Sequence, residues 1–160
     1  REAAMALFNQ DVDVIAFHTG STAVMAAAQE RGKMAVAYHS DMRKVGPDAQ
    51  IIAVTHQWGD YYSARVKAVL NSTWKTGSVW GGVKDGMVRV GDFGPKVPAK
   101  VQQEVLAQQK QLGSGKLQPF AGPITDNEGK EVLPAGQDFI YLKILQMNYL
   151  VQGVQGRINR

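Results

Sequence analysis

The chain has 160 residues, of which 44% are hydrophobic and 20% are charged, as in a folded globular domain. It contains no cysteine and no run near the ~18 consecutive apolar residues of a membrane-spanning helix, which excludes disulfides, thiolate metal sites, cysteine nucleophiles and such a helix. The net charge is +4, but lysines and arginines are scattered singly, so we expect a solvated basic surface and no nucleic-acid partner.

Short apolar runs alternate with helical patterns over the first part of the chain. Continuous apolar strands separated by helices are typical of a parallel sheet covered on both faces, and we therefore predict an α/β fold. In chain order, the predicted elements are a helix over 1–10, a strand at Asp13–Phe17, a helix at Ser21–Arg31, strands at Met34–Tyr38 and Ile51–Thr55, and a helix at Tyr61–Leu70.

After residue 75 the pattern changes, because glycines break the sequence into shorter elements. The clearest of these is a strand at Met87–Val90, and a polar helix at Ala99–Leu112 follows it. A β-hairpin begins near Pro119 and turns at Asp126–Gly129. The tail between Asp138 and Gln155 carries an apolar stripe with helical spacing, so we predict a C-terminal helix there.

The chain has three histidines, and each follows a predicted strand: His18, His39 and His56. Because the carboxyl ends of parallel strands meet at one edge of a sheet, where ligands bind in open α/β folds, we expect the three to share a ligand-binding site. Thr19 and Gly20 lie beside His18 at the start of a helix, whose free backbone N–H groups face a polar ligand atom.

Other candidate ligand-binding residues lie near the same edge. Asp41 follows His39 closely and offers a carboxylate for hydrogen bonding. Trp58 follows His56 and is the best candidate for stacking on a planar ligand. Trp80 is a second stacking candidate, because the adjacent glycines allow a ligand to approach closely.

An alternative reading is a metal-binding or hydrolytic α/β domain that uses His18, His39 and His56, since imidazole is a common zinc or copper ligand. The close spacing of a His-x-x-x-His pair is missing, however, and so is a Gly-x-Ser-x-Gly nucleophile motif. We therefore expect a binding protein and not an enzyme, with no catalytic residue, no metal and no cofactor.

Several stretches of the sequence are familiar in both content and order: Asp13–Ile15 with His18–Ser21, Tyr38–Met42, Trp58–Tyr62, Gly81–Met87 and Pro119–Ile124. In these stretches the chain resembles the basic membrane protein family of bacterial solute receptors, which supplies substrate-binding components of ABC importers. The similarity runs along essentially all of the sequence and corresponds to the later half of a typical member. We accordingly expect a longer protein, with any targeting signal upstream of these residues.

The resemblance implies a type I periplasmic-binding-protein fold, in which two α/β lobes close on a ligand. This chain would supply the second-lobe core over residues 1–87 and a return into the first lobe, with hinge crossings, over residues 88–113. Residues 114–160 would form a β-hairpin and a C-terminal helix extension. The expected location is the periplasm or the outer face of the cytoplasmic membrane, often with a lipid anchor, and the expected partners are ABC permease subunits.

Characterised members of this family include purine nucleoside receptors, so the resemblance implies a small planar ligand, a purine base or nucleoside. The Asp-Ser-Asp stretch common in the family is His39–Asp41 here, and the lysine of nucleoside-binding members falls at His56. Since these two changes remove the ribose partners, they favour a free purine base. A transcriptional regulator that shares this fold would instead carry an upstream helix-turn-helix.

Overall fold

Four strands form one sheet in the first part of the chain, in the order β1-β2-β3-β4. Strands β1 (Val14–Ala16), β2 (Met34–His39) and β3 (Gln50–His56) are parallel, and β4 (Val88–Gly91) pairs antiparallel with β3. The parallel strands end at a common edge, where His39 pairs with Thr55 and His56 pairs with Val88.

Four helices accompany this sheet in the computed structural model, which describes residues 1–158. They are α1 (Glu2–Phe8), α2 (Ala23–Glu30), α3 (Trp58–Leu70) and α4 (Ala99–Ser114). The predicted α/β fold, with a mostly parallel sheet flanked by helices, is confirmed.

The core lies between α2 and the central strands, and it is built largely from small side chains. Ala27, Ala28 and the strand residue Ala35 are fully buried, which allows the helix to approach the sheet closely. Met25 is a large side chain that is also fully buried. A Cβ atom added at Gly46 would lie 2.7 Å from Cγ of Met25, so glycine is needed there for this packing.

The third helix, like α4, has no buried residue, since all 13 of its residues are exposed or only half-buried. It begins at Trp58, three residues before the predicted start, so Trp58, Tyr61 and Tyr62 all lie on its first turns. This early start places Trp58 directly beside the edge where β3 ends at His56.

The chain divides into two units, Arg1–Ser114 and Gly115–Arg160. In the second unit, β5 (Ile124–Thr125) and β6 (Glu131–Leu133) form the predicted hairpin. Its turn is fixed by Asp126, whose Oδ1 accepts hydrogen bonds from the backbone N–H groups of Glu128 at 3.0 Å and Lys130 at 2.8 Å. The assignment of residues 88–113 to a return into the first lobe stays a prediction.

The prediction of a helical stripe from Asp138 to Gln155 is wrong for most of its length. The helix α5 covers only Tyr141–Leu145, and Val151 instead forms a β-bridge with Asp126. Backbone hydrogen bonds to the hairpin, including Gln152 N–H to the Thr125 carbonyl at 2.9 Å, replace the helical ones. Pairing with the hairpin therefore determines the structure of this segment, although its apolar residues have helical spacing.

None of the helices within residues 1–158 combines the length and the apolar character that crossing a bilayer requires.

Candidate ligand-binding site

A continuous series of ring contacts lies at the carboxyl edge of the parallel strands. We call it the aromatic ladder, and it joins residues that follow β1, end β2 and β3, and begin α3. Its seven members are His18, Tyr38, His39, His56, Trp58, Tyr61 and Tyr62. The three histidines predicted to share this edge thus lie in one series of ring contacts, in which the pairs His18–Tyr38 and His56–Trp58 are stacked and the others are tilted or edge-on.

Tyr38 lies at the centre of the ladder. Its ring stacks on His18 with centroids 4.0 Å apart, and it lies 3.9 Å from the ring of His39. It also meets His56 edge-on at 5.6 Å, and its hydroxyl lies 3.3 Å from Nε2 of the same histidine. The side chain of Tyr38 thereby connects three histidines: one that follows β1, one at the end of β2 and one at the end of β3.

The contact between Tyr38 and His39 is unusual, because successive side chains of a strand point to opposite faces. His39 has a φ of +72°, in the left-handed region that non-glycine residues rarely adopt. This turn of the backbone at the end of β2 lets both rings join one ladder, and the ring of His39 also lies 5.1 Å from that of His56.

The outer arm of the ladder runs from His56 onto the first turns of α3. The rings of His56 and Trp58 stack at 5.2 Å, and Trp58 lies 6.0 Å from each of Tyr61 and Tyr62. Residues three and four apart share one face of a helix, which explains why these three aromatic residues meet. The guanidinium of Arg65 continues this face, 5.2 Å from the ring centroid of Tyr61.

One polar atom of the ladder is buried without a partner. Within residues 1–158, Nδ1 of His56 is the buried side-chain nitrogen or oxygen for which the protein supplies no hydrogen bond. Leaving such an atom unpaired costs about 1–3 kcal/mol, so unpaired polar atoms are rare in ordinary cores and are more typical of functional sites.

Thr19 and Gly20 lie in the exposed loop between β1 and α2, next to the ladder. A Cβ atom added at Gly20 would lie 3.8 Å from Cδ2 of His39, an ordinary van der Waals contact. Just before α2, the Oγ of Ser21 accepts a hydrogen bond from the backbone N–H of Ala23 at 3.1 Å, whereas the N-cap residue Thr22 makes no side-chain capping hydrogen bond. Ligand binding by Thr19 and Gly20 stays a prediction.

Asp41 lies in a different cluster from the ladder. Its carboxylate accepts hydrogen bonds from Nε of Arg43 at 2.9 Å, from Nη2 of Arg43 at 2.7 Å and from Nε2 of Gln50 at 3.0 Å. The hydrogen bonds from Arg43 hold the pKa of Asp41 at about 2, although partial burial acts in the opposite direction. The carboxylate is thus already engaged within the protein, and its contact with a ligand stays a prediction.

Trp80 lies in the irregular segment between α3 and β4, and 63% of its surface is exposed. The glycine that follows it has a packing role, since a Cβ atom at Gly81 would collide with Sδ of the buried Met87. Close approach of a ligand is therefore not needed to explain this glycine. A stacking role for Trp80 stays a prediction.

The three histidines are not arranged as a metal centre. Among residues 1–158, no three His, Asp or Glu side chains are arranged to hold a metal ion. His18, His39 and His56 stack on or around Tyr38 and do not converge on one point.

Tyr38 is the ladder residue that the sequence analysis missed. Alternation along β2 assigns it to the face opposite His39, so only the adjacency of an aromatic residue and a histidine at a strand end could have marked it. The left-handed backbone at His39, which brings both rings together, leaves no sign in the sequence.

Comparison with known proteins agrees with the motifs. The sequence model of the Bmp family, described as PnrA-like ABC transporter substrate-binding proteins, matches residues 1–127. The chain belongs to this family. The predicted resemblance to a family of ABC transporter substrate-binding proteins is thereby confirmed.

Two curated relatives align with nearly the whole chain. A purine-binding protein of Brucella abortus (strain 2308) is 41% identical over 157 residues, which are 98% of this chain and 45% of that protein. A Haloferax volcanii protein, named as a candidate ABC transporter glucose-binding protein, is 28% identical over 99% of this chain and 38% of its own length. The chain therefore spans less than half the length of these relatives.

Solved structures show the same fold at low sequence identity. A transcriptional activator of the comK gene from Bacillus halodurans superposes with a TM-score of 0.65 at 21% identity, over 74% of this chain and 42% of that one. An ABC transporter solute-binding protein from Conexibacter woesei gives a TM-score of 0.54 at 16% identity, over 73% of this chain and 40% of that one.

Proposed function

We propose that the protein carrying this chain is the solute-binding component of a bacterial ABC importer and captures a purine base or nucleoside on the aromatic ladder. The observation that carries the proposal is the ladder itself, a continuous series of ring contacts at the sheet edge where α/β proteins bind ligands. The Brucella abortus relative, which is named as purine-binding, supports the ligand class.

The ladder offers what a flat heterocycle needs. Stacking of a base on an aromatic side chain is worth about 1–3 kcal/mol, and Trp58, 39% exposed, and Tyr62, 60% exposed, present accessible rings. Imidazole and phenol groups of His18, His39 and Tyr38 supply hydrogen-bond donors and acceptors for the edge of the ligand. A ligand that lacks matching groups leaves these unpaired, which provides specificity.

A free base fits this site better than a nucleoside. Three hydrogen bonds from the side chain of Arg43 and one from Gln50 already occupy the carboxylate of Asp41, which leaves it less able to bind a ribose hydroxyl. His56, where the family resemblance places the lysine of nucleoside-binding members, is stacked against Trp58. We accordingly propose adenine as the first ligand to test.

The family role supports a location in the periplasm or on the outer face of the cytoplasmic membrane, where the protein would deliver its ligand to ABC permease subunits. Capture requires no chemical reaction, only a closed state that the ligand stabilises and that the transporter recognises. The residues proposed to form the binding surface are His18, Thr19, Gly20, His39, Asp41, His56, Trp58 and Trp80, with Tyr38 added from the structure.

Calorimetric titration of the full protein that carries these residues tests the proposal. Adenine should bind with one-to-one stoichiometry and more tightly than adenosine, whereas glucose should not bind. Trp58→Leu should weaken adenine binding about tenfold or more, since one stacking surface is lost. Trp74→Leu, at a residue 51% exposed and outside the ladder, is the matched control and should leave affinity unchanged.

Three results would contradict the proposal. They are glucose binding without adenine binding, equal effects of the two tryptophan substitutions, and stoichiometric zinc or copper in the purified protein that is lost on substitution of the histidines.

A further inference from the structure

The turn that follows β2 is held by an arginine–carboxylate pair. Arg43 donates from Nε and Nη2 to the two oxygens of Asp41, at 2.9 Å and 2.7 Å. Its backbone N–H also donates to Oδ1 of Asp41 at 3.0 Å. A two-pronged pair of this kind fixes orientation as well as distance, because the planar guanidinium matches the carboxylate.

Gln50 holds the same turn from the inside. It is 1% exposed, and its Oε1 accepts a hydrogen bond from the backbone N–H of Met42 at 2.7 Å. Its Nε2 donates to Oδ1 of Asp41 at 3.0 Å and to the backbone carbonyl of Asp92 at 2.6 Å. Each polar atom of a buried amide therefore binds the turn or the segment after β4.

Arg89 in β4 and Asp92 directly after it complete this cluster. We call the cluster the clamp and define it as Asp41, Arg43, Gln50, Arg89 and Asp92. Nη2 of Arg89 lies 2.7 Å from Oδ2 of Asp92, and Nη2 of Arg43 lies 3.6 Å from its Oδ1. The clamp thus joins the connection between the parallel strands β2 and β3 to the end of β4. Strand β3 lies between β2 and β4 in the sheet.

His39 lies two residues before Asp41 and holds a left-handed conformation, with a φ of +72°. Such a conformation is unfavourable for a non-glycine residue and persists only where the surroundings impose it. The clamp fixes the chain directly after His39, whereas pairing with Thr55 in the sheet fixes His39 itself. The ring of His39 is therefore directed into the ladder by constraints on both sides.

We propose that Arg43 and Gln50 are positioning residues of the binding site, which direct the ring of His39 into the aromatic ladder through Asp41. The inference rests on the proposed function only for its effect on ligand affinity. It gives Asp41 an orienting role in addition to its proposed place on the binding surface. Its effect on the ring of His39 is measurable without any ligand.

The test compares Arg43→Ala and Arg43→Lys with Lys44→Ala in the full protein. The exposed Lys44 is the matched control, because it is the neighbouring cation outside the clamp. Two quantities are measured: the imidazole proton shifts of His39, which report ring currents from Tyr38, and the affinity for adenine. Arg43 is exposed, so its replacement should leave the protein folded.

Arg43→Ala should move the His39 imidazole signals towards those of an unstacked histidine and weaken adenine binding about tenfold. Arg43→Lys should show an intermediate shift, because lysine keeps the charge but loses the planar fork. Lys44→Ala should change neither quantity. A second variant, Gln50→Glu, keeps the acceptor for Met42 N–H but sets a second carboxylate against Asp41, and it should move the His39 signals in the same direction.

Unchanged His39 signals in both Arg43→Ala and Gln50→Glu would overturn the positioning role. If the His39 signals move as expected but the wild-type protein binds no adenine, the clamp is supported and the proposed ligand is wrong. If adenine binds the wild-type protein and Arg43→Ala equally well while the His39 signals stay fixed, the clamp proposal is wrong and the proposed function stands.

Discussion

The hydroxyl oxygen of Tyr38 lies 3.3 Å from Nε2 of His56, and this contact joins the ends of the neighbouring parallel strands β2 and β3. The ring that carries this hydroxyl also stacks on His18. Tyr38 therefore organises the inner half of the aromatic ladder, and its ring and its hydroxyl have separable roles.

Replacement of Tyr38 separates these roles. Tyr38→Phe keeps the stacking but removes the hydroxyl, and it should weaken adenine binding by about threefold to tenfold, the value of a neutral hydrogen bond. Tyr38→Leu also removes the ring and should weaken binding by more than about tenfold. Calorimetry on both variants measures the difference, and equal affinities for wild type and Tyr38→Leu would remove Tyr38 from the site.

His39→Gly tests whether strain at the site serves binding. Glycine adopts a positive φ without steric cost, so the substitution should leave the free energy of unfolding unchanged or raise it by up to about 1 kcal/mol. It removes one imidazole of the ladder, however, and should weaken adenine binding about tenfold. Urea unfolding and calorimetry on the same samples measure both quantities. A variant that loses stability and keeps its affinity would contradict this account.

Asp41→Asn should lose stability in a pH-dependent manner. Because hydrogen bonds from Arg43 lower the pKa of Asp41 from 3.8 to about 2, its charged form stabilises the fold above the unfolded-state value. This contribution disappears as the pH falls from about 4 to about 2, where the carboxylate becomes protonated in the folded state. After allowance for screening at this partly exposed pair, we expect a difference from wild type of order 1 kcal/mol near neutral pH.

Urea unfolding of wild type and Asp41→Asn across this acid range measures the difference. An Arg43→Met background provides the control, since removal of the guanidinium should reduce the pH-dependent part of the difference. A difference that stays constant between about pH 6 and pH 2 would show that the ion pair does not contribute as described.

Gly94→Ala tests the close contact between Gly94 and the backbone of Gln50, a member of the clamp. A Cβ atom at Gly94 would collide with the backbone carbonyl oxygen of Gln50, which cannot move without disturbing β3. We expect a loss of about 2–4 kcal/mol in the free energy of unfolding. Gly59→Ala is the matched control in open space on α3, where alanine should add up to about 1 kcal/mol. Similar midpoints in urea for the two variants would contradict the packing described at Gly94.

The strand and helix pattern of the first unit could be predicted because apolar runs at Met34–Tyr38 and Ile51–Thr55 leave a direct sequence signal. The shared edge of the three histidines followed from that pattern. The clamp could not be predicted, because it depends on contacts such as that between Gln50 and Asp92, which are far apart in the sequence. The C-terminal helix was overpredicted since bridge pairing at Val151 competes with a stripe that fits helical spacing equally well.

The most direct test of the central claim is a crystal structure of the full protein grown with adenine. The account predicts that the purine ring stacks within van der Waals distance of ladder residues, with Trp58 or Tyr62 against its face and a histidine at its edge. Adenine bound elsewhere, for example in the cavity of about 410 Å³ lined by Asp126, Tyr149 and Arg157, would contradict the assignment of the ladder as the binding surface.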